Sequence, residues 1–432
     1  MHLTERAHLL IVASAVLAIA GLWSDDPQLA LLWCWPAAVL LAGLAWEGLL
    51  MRRLALSANV AAPARALLGR SQDAAFEFRN ASGRRVSIEY APAMPPGFEP
   101  LPSTRALTVP AKGTARDAFT LSAVRLGPQS WPALPLRCLG AGGLAWWTRE
   151  LPVHRLIRIA PDSTTLIRAR PYGHRMGLRA RRALGAGSEL YQLRAYASGD
   201  PLACIDWKAT ARSGVLITRE YNEDQHLDIM IAIDAGRSSR VRAGRLDRLG
   251  LYANIAARFS RIATPNDDRV GLIVYAERPL AVCAPERGVR AIARLHETLA
   301  GLDVQSRESD AVAAALHIRA VLKHRTLIIM LTDLDDPAAD APLARAVALL
   351  SPPHLVVVAA VQSPEIQHLA RQSAHDWRDP WVALAALEHE RRSEVRRLQL
   401  QQLGTPVIAT AEGALQEAVF ASYRRLRRRR RV

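Results

Sequence analysis

The chain has 432 residues, half of them hydrophobic, and 56 Lys and Arg against 40 Asp and Glu give it a net charge of +16. Single cores rarely exceed about 250 to 300 residues, so more than one soluble unit is expected. Four scattered cysteines, Cys34, Cys138, Cys204 and Cys283, form no CxxC pair, which argues against a disulfide framework or a cysteine zinc site and fits a reducing compartment.

Residues 1–53 predict a transmembrane hairpin. Leu9 to Trp23 and Leu29 to Trp46 are uncharged and apolar, joined through Ser24, Asp25, Asp26 and Pro27. The second stretch covers about 27 Å as a helix, near the ~30 Å hydrocarbon thickness, and Pro36 is expected to kink it. Arg6, Arg52 and Arg53 flank the pair while its link is acidic, so the positive-inside rule places both ends, and residues 57–432, on the cytoplasmic side of the membrane. Trp23, Trp33, Trp35 and Trp46 suit interface anchors. A signal peptide cleaved near Ala18, Ile19 and Ala20 is the competing reading, and the second apolar span directly behind it weighs against cleavage.

Residues 57–160 carry short alternating runs, among them Ala75 to Arg79, Arg85 to Tyr90 and Ala118 to Leu121, separated by turns at Asn80 to Gly83, Pro95 to Gly97 and Ala111 to Gly113. Period-two alternation at this spacing predicts a small β-sandwich. Five prolines between Pro92 and Pro102 exclude a central strand there, and Trp146 and Trp147 are expected in the core.

Residues 161–226 hold a box of polar residues among glycines. Gly185, Gly187, Glu189, Leu193, Arg194, Tyr196, Gly199 and Asp200 lead into Ile205, Asp206, Trp207, Lys208, Ala209, Ala211, Arg212 and Gly214. A Gly-x-Gly pair without a third glycine or a Walker lysine is weak evidence for a nucleotide loop. The whole box resembles the signature of the DUF58 family, with Ala195 where an acidic residue is common and Ala203 and Cys204 where arginines are common. Asp206 and Glu189 would need partners if buried, with Arg194, Lys208 and Arg212 the nearby candidates. The box then reads as a charged clamp between its neighbours, with a binding site as the alternative.

From Leu227 on, apolar strands alternate with amphipathic helices, a doubly wound α/β order over residues 227–432. Leu227 to Asp234, Arg269 to Ala276, Pro279 to Cys283, Thr326 to Asp333, Leu355 to Val361 and Thr405 to Thr410 read as strands, and the second and third as a hairpin at one edge. Helices are predicted over Arg245–Ala263, Gly288–Ala300, Ser309–Lys323, Asp340–Leu350 and Glu412–Arg425. The order resembles a von Willebrand factor A domain, interrupted at 363–403 by a helical insertion holding Trp377 and Trp381. That insertion is a candidate partner surface, or an amphipathic helix docked on its own sheet.

Ligands of open α/β sheets collect at the carboxyl ends of the strands. There the sequence offers Asp234, Ala235, Gly236, Arg237 and Ser238, then Ser309 and Asp310, then Thr332, Asp333, Asp335 and Asp336. The set resembles the metal-ion-dependent adhesion site of A domains, which implies one Mg²⁺ held through Asp234, Ser238, Ser309 and Asp333, as hydroxyl and carboxylate oxygens suit. Gly236 stands in place of the first serine, so one hydroxyl is missing, and Gly236→Ser is expected to raise metal affinity. The alternative is that these aspartates only cap loops.

HExxH, GxSxG and Walker A motifs are all missing and histidines such as His174 and His296 are isolated, so no enzyme is expected. A metal-dependent hydrolase on the Asp234, Asp333, Asp335 and Asp336 cluster would lack a general base. The family resemblance implies instead a membrane-anchored scaffold beside a MoxR-type AAA+ ATPase, whose acidic side chain would complete the metal shell. The alternative is a basic nucleic-acid or anionic-lipid binder using the terminal run Arg424, Arg425, Arg427, Arg428, Arg429, Arg430 and Arg431, a pattern more usual for a solvated tail.

Overall fold

The computed structural model describes residues 1–23, 31–164, 184–185, 189–222, 226–335, 340–362 and 364–429. The predicted link from Ser24 to Pro27, the start of the second predicted span at Leu29, and His174, Gly187, Asp336, Arg430 and Arg431 lie outside the described residues. The protein is mixed α/β with several sheets, in two compact units. One comprises residues 1–162, 240–254 and 296–304, and the other residues 163–239, 255–295 and 305–432.

In the first unit, β1 (His2–Leu3) leads into α1 (Glu5–Gly21), and α2 (Cys34–Arg52) lies beside α1, the Ser14 hydroxyl donating to the Trp33 carbonyl at 3.0 Å. Among the described residues α2 is the one helix long and apolar enough to cross a membrane. It starts five residues later than the predicted span and runs on to Arg52, so Pro36 falls in its first turn, where a missing N–H costs nothing, and not mid-helix.

Ten strands follow: β2 (Leu56–Ala61), β3 (Arg65–Leu67), β4 (Ser71–Asn80), β5 (Val86–Tyr90), β6 (Arg105–Val109), β7 (Thr114–Ser122), β8 (Gly127–Ser130), β9 (Leu134–Leu139), β10 (Ala145–Leu151) and β11 (Leu156–Ala160). They form sheets of order β1-β10-β9-β5-β6, β2-β4-β7 and β3-β11-β8. The alternation foreseen in the sequence appears in β5, where Val86, Ile88 and Tyr90 are buried and Ser87 and Glu89 are less so. Phe76 of β4 meets Tyr90 of β5 edge-on at 5.5 Å and stacks on Phe119 at 4.8 Å, so side chains of two sheets share one aromatic core. Trp131, not the Trp146–Trp147 pair, joins it, 5.7 Å from Phe76.

In the second unit, β12 (Glu189–Ala195) and β13 (Ile217–Asn222) pair antiparallel around α3 (Trp207–Ser213). Along the chain then come β14 (Asp228–Asp234), α4 (Arg248–Ala263), whose residues up to Asn254 count with the first unit, β15 (Arg269–Tyr275), β16 (Pro279–Glu286), α5 (Val289–Ala300), whose residues from His296 count with the first unit, α6 (Ala311–Val321), β17 (Leu327–Leu331), α7 (Asp340–Leu350), β18 (Leu355–Val361), α8 (Pro364–Arg371), α9 (Asp379–Gln402), β19 (Val407–Thr410) and α10 (Glu412–Arg429). The six-stranded sheet has the order β16-β15-β14-β17-β18-β19, parallel except for the antiparallel edge strand β16. The inner strands read as unbroken apolar runs, as expected where both faces are covered. One face packs Met230, Ile273, Met330 and Val358 against Ala314 and Ile318 of α6 and Val347 of α7. Helix α4 begins three residues later than predicted because the Asp247 carboxylate accepts the Gly250 N–H at 2.8 Å and so caps it.

Candidate functional site

Strands β14 and β17 are parallel neighbours with Ile233 opposite Leu331, so Asp234, the last residue of β14, and Thr332, just past β17, emerge side by side at the carboxyl edge. The Thr332 hydroxyl donates to Asp234 Oδ2 at 2.9 Å, and the Gly236 N–H donates to Oδ1 at 2.9 Å. The Ser309 hydroxyl donates to the same Oδ1 from a loop 75 residues away. That loop is held because the Asp310 carboxylate caps α6, accepting from Val312 and Ala313 N–H at 2.9 and 3.0 Å, and because the Arg237 N–H reaches the Arg307 carbonyl at 2.8 Å. Asp234 is 2% exposed, so these donors also compensate a desolvated carboxylate.

Of the four residues predicted to hold a metal, Asp234 and Ser309 touch. Asp333 is buried on the adjoining turn, where its Oδ1 accepts the Asp335 N–H at 2.8 Å. Ser238 is half-buried in the turn 237–240, and it is its neighbour Ser239 whose hydroxyl meets the Asp234 carbonyl, at 2.7 Å. Thr332 is the member that sequence reasoning passed over. Its place directly after the central strand, one residue before Asp333, was the available signal. Among the described residues no three His, Cys, Asp or Glu side chains gather as a metal cluster. The donor set is therefore hydroxyl and carboxylate oxygen, which suits a hard cation and offers it few charges.

The missing hydroxyl at position 236 has a steric cause. A Cβ built on Gly236 would lie 2.0 Å from Ser309 Oγ and 3.1 Å from the Arg307 carbonyl oxygen, so Ser309 already fills the space a serine there would need.

Helix α9 of the insertion holds the turn after β17. The Ser393 hydroxyl donates to Asp335 Oδ1 at 3.0 Å, His389 Nε2 stands 3.8 Å from it, and the buried Arg396 guanidinium donates to the Leu334 carbonyl. Trp377 and Trp381, just before and inside α9, are about 70% exposed, at 71% and 69%. The insertion thus docks through one part and leaves its aromatic part uncovered.

In the polar box, Arg194 forks between Asp200, at 2.8 Å through both outer nitrogens, and Glu220. This pairing raises Arg194, holds Asp200 down to about 2 and lowers Glu220. Asp206 finds none of its foreseen partners. It caps α3, accepting from Lys208 and Ala209 N–H at 3.0 Å, and pairs with Arg219 at 2.9 Å, so the Arg219 contact first and then the backbone hydrogen bonds lower its pKa. Strand pairing explains the difference: Arg219 sits on β13 across the α3 turn, and Lys208 offers its backbone instead of its ammonium.

The family model described as "Protein of unknown function DUF58" matches residues 192–401. No curated protein matches the chain. Among solved structures, proximal thread matrix protein 1 of the mussel byssus aligns at 11% identity over 32% of this chain and 37% of that one, TM-score 0.26. Its form with a zinc-occupied MIDAS motif aligns at 12% identity over 45% and 46%, TM-score 0.27. The CARDB domain of a Pyrococcus furiosus protein, solved with di-metal ions, aligns at 10% identity over 23% of this chain and 93% of the domain, TM-score 0.16. The chain spans under half the length of the thread matrix protein.

Proposed function

Because the chain belongs to the DUF58 family through residues 192–401, we propose that it is a non-catalytic, membrane-anchored scaffold whose von Willebrand A-like sheet presents a protein-binding edge. The observation that carries this reading is the convergence of Asp234, Ser309 and Thr332 from three separate loops at one carboxyl edge of the parallel strands. Oxygen donors gathered there, with no general base or phosphate cradle beside them among the described residues, suit adhesion to a carboxylate through a shared cation better than catalysis.

In this reading Asp234, Ser238, Ser309, Thr332 and Asp333 hold one Mg²⁺. The ion supplies positive charge to which an acidic partner side chain binds. Two carboxylates and three hydroxyls hold a divalent ion weakly, so metal and partner should each tighten the other. A MoxR-type AAA+ ATPase is the partner proposed. The helices α1 and α2 form the anchor, with the soluble units on the cytoplasmic side, a reading that Arg52 and Arg53 after α2 support.

The test uses the full chain in detergent-solubilised membranes. Wild-type protein with Mg²⁺ should capture the ATPase, and both EDTA and Asp234→Ala should abolish capture while leaving the melting transition cooperative. Undiminished capture by folded Asp234→Ala would sink the reading. A C-terminal reporter active only in the periplasm would overturn the orientation.

A further inference from the structure

The loop between β9 and β10 is built for lipid. From Leu139 to Trp147 it carries no charge, and it is tied to both N-terminal helices. The Glu47 carboxylate of α2, fully buried, accepts N–H bonds from Gly142 at 2.8 Å, Leu144 at 3.0 Å and Ala145 at 3.2 Å, and from the Trp147 indole at 3.3 Å. Thr4, at the start of α1, donates its hydroxyl to the Gly143 carbonyl at 2.6 Å and its N–H to the Leu144 carbonyl at 2.9 Å. Within the turn, the Gly143 N–H meets the Gly140 carbonyl at 3.0 Å and the Gly140 N–H the Ala145 carbonyl at 2.9 Å. The glycines are required by the fit, since a Cβ on Gly140 would lie 2.0 Å from Glu47.

The turn reaches well along α2. Leu144 packs against Gly43, where a Cβ would come within 2.5 Å of it, and Trp147 packs against Gly48 at 2.9 Å by the same measure. At 1.5 Å per residue the 19 residues of α2 span about 28 Å, short of the roughly 40 to 45 Å of a bilayer with its interfacial layers, so the Gly43 to Gly48 stretch that the turn covers falls within the depth of the membrane. Apolar side chains on the same half of α2, Trp46 at 54% and Leu49 at 51%, are exposed and would be left in water if the turn stood outside the bilayer.

We propose that the β9–β10 turn lies in the interfacial layer of the bilayer, packed on α2, and that Glu47 is the internal plug that makes this tolerable. Backbone can enter lipid only where its polar groups are satisfied inside the protein; Glu47 and Thr4 satisfy most of the turn, and the Arg6 guanidinium stands 3.5 Å from the Gly142 carbonyl, as suits the headgroup level. The β unit is then held flush against the membrane and not tethered at a distance. This rests on α2 being a membrane span.

The test places a fluorescent coumarin amino acid at the exposed Ala141, or at Lys112 in a different turn, in the full chain reconstituted into phosphatidylcholine–phosphatidylglycerol nanodiscs. Quenching by lipids doxyl-labelled near the headgroup, and by aqueous iodide, is read at both positions, alongside carbonate extraction from cell membranes. The expected result is strong lipid quenching and weak iodide quenching at 141, with the reverse at 112. In Glu47→Ala the lipid quenching at 141 should fall while the chain still resists carbonate. Equal iodide quenching at 141 and 112 in a carbonate-resistant chain overturns the immersion and leaves the anchor standing. Release by carbonate overturns both.

Discussion

Ser309 and Gly236 share one volume: the Ser309 hydroxyl stands 2.0 Å from where a Cβ on residue 236 would be, and it spends its proton on Asp234. A serine at 236 would therefore have to displace Ser309. Gly236→Ser should destabilise the protein by about 1 to 3 kcal/mol, the usual cost of overpacking, and should not raise Mg²⁺ affinity. Adding Ser309→Ala to it removes the clash and should recover most of the loss. Thermal melts with and without Mg²⁺ on the wild type and the two variants decide the matter, and tighter metal binding by the single variant at unchanged stability would refute the exchange.

Much of the sheet was legible in the sequence because apolar strands bounded by Asp, Gly and Pro are local signals, and Asp340–Leu350 and Leu355–Val361 appear with the predicted bounds. What the sequence hid are contacts made at long range. Glu47 looked like the polar end of a span finishing at Trp46, since its donors lie 95 to 100 residues away. Thr332 fell inside a strand predicted to run on to Asp333, and its role follows only from the parallel register with β14. The adhesion-type pattern did lead to Asp234 and Ser309, but a spacing pattern could not reveal that Ser309 excludes a side chain at 236.

Asp247 should give the protein a pH dependence of its own. Burial, above all, pushes its carboxyl up to about 6, with Asp303 adding to the rise and the Gly250 N–H and Arg125, 3.8 Å away, opposing it. A folded pKa above the unfolded one means the folded state holds this proton more tightly. The stabilisation is complete below about pH 4 and is lost as pH rises through about 6, up to about 3 kcal/mol at 1.36 kcal/mol per unit. Asp247→Asn keeps the cap on α4 but cannot ionise. Its stability between pH 4 and 7 should lack that decline, which urea melts at several pH values will show. A decline unchanged in the variant would assign it to another group.

Asp206 and Arg219 make the opposite case. Asp206 is held below its ordinary range by Arg219 and by the N-terminal amides of α3, so its contribution is present above the ordinary carboxylate pKa and fades as pH falls below it. Asp206→Ala should lower the melting temperature at pH 7, Asp206→Asn should lower it less because the amide still caps α3, and Arg219→Ala should remove the ion pair while leaving that cap in place. Equal losses for all three would mean the cap carries nothing.

The terminal arginines are not all tail. The Arg427 guanidinium donates to Asp268, whose side chain is fully buried while that of Arg427 is 12% exposed, and it also reaches the Asn266 carbonyl at 3.1 Å. The Tyr423 hydroxyl donates to the same carboxylate, and burial first, then that contact, pushes it up to about 12. Removing the arginine would leave a buried carboxylate without its counter-charge, held only by the Tyr423 hydroxyl and the Leu227 N–H at 2.8 Å, a loss of up to about 3 to 5 kcal/mol. Arg427→Met should therefore unfold well below the wild type, whereas a stop after Arg427 should melt like it. This difference governs any search for lipid or nucleic-acid binding by the tail. Truncation before Arg424 would weaken binding merely by loosening α10, so the informative chain is the one that keeps Arg427 and lacks residues 428–432. If that chain binds anionic vesicles or DNA as tightly as the wild type, with the same salt dependence, the distal arginines neutralise no phosphates and the tail reading fails. If binding drops and the salt slope flattens while the melting temperature holds, the distal arginines are a genuine electrostatic contact.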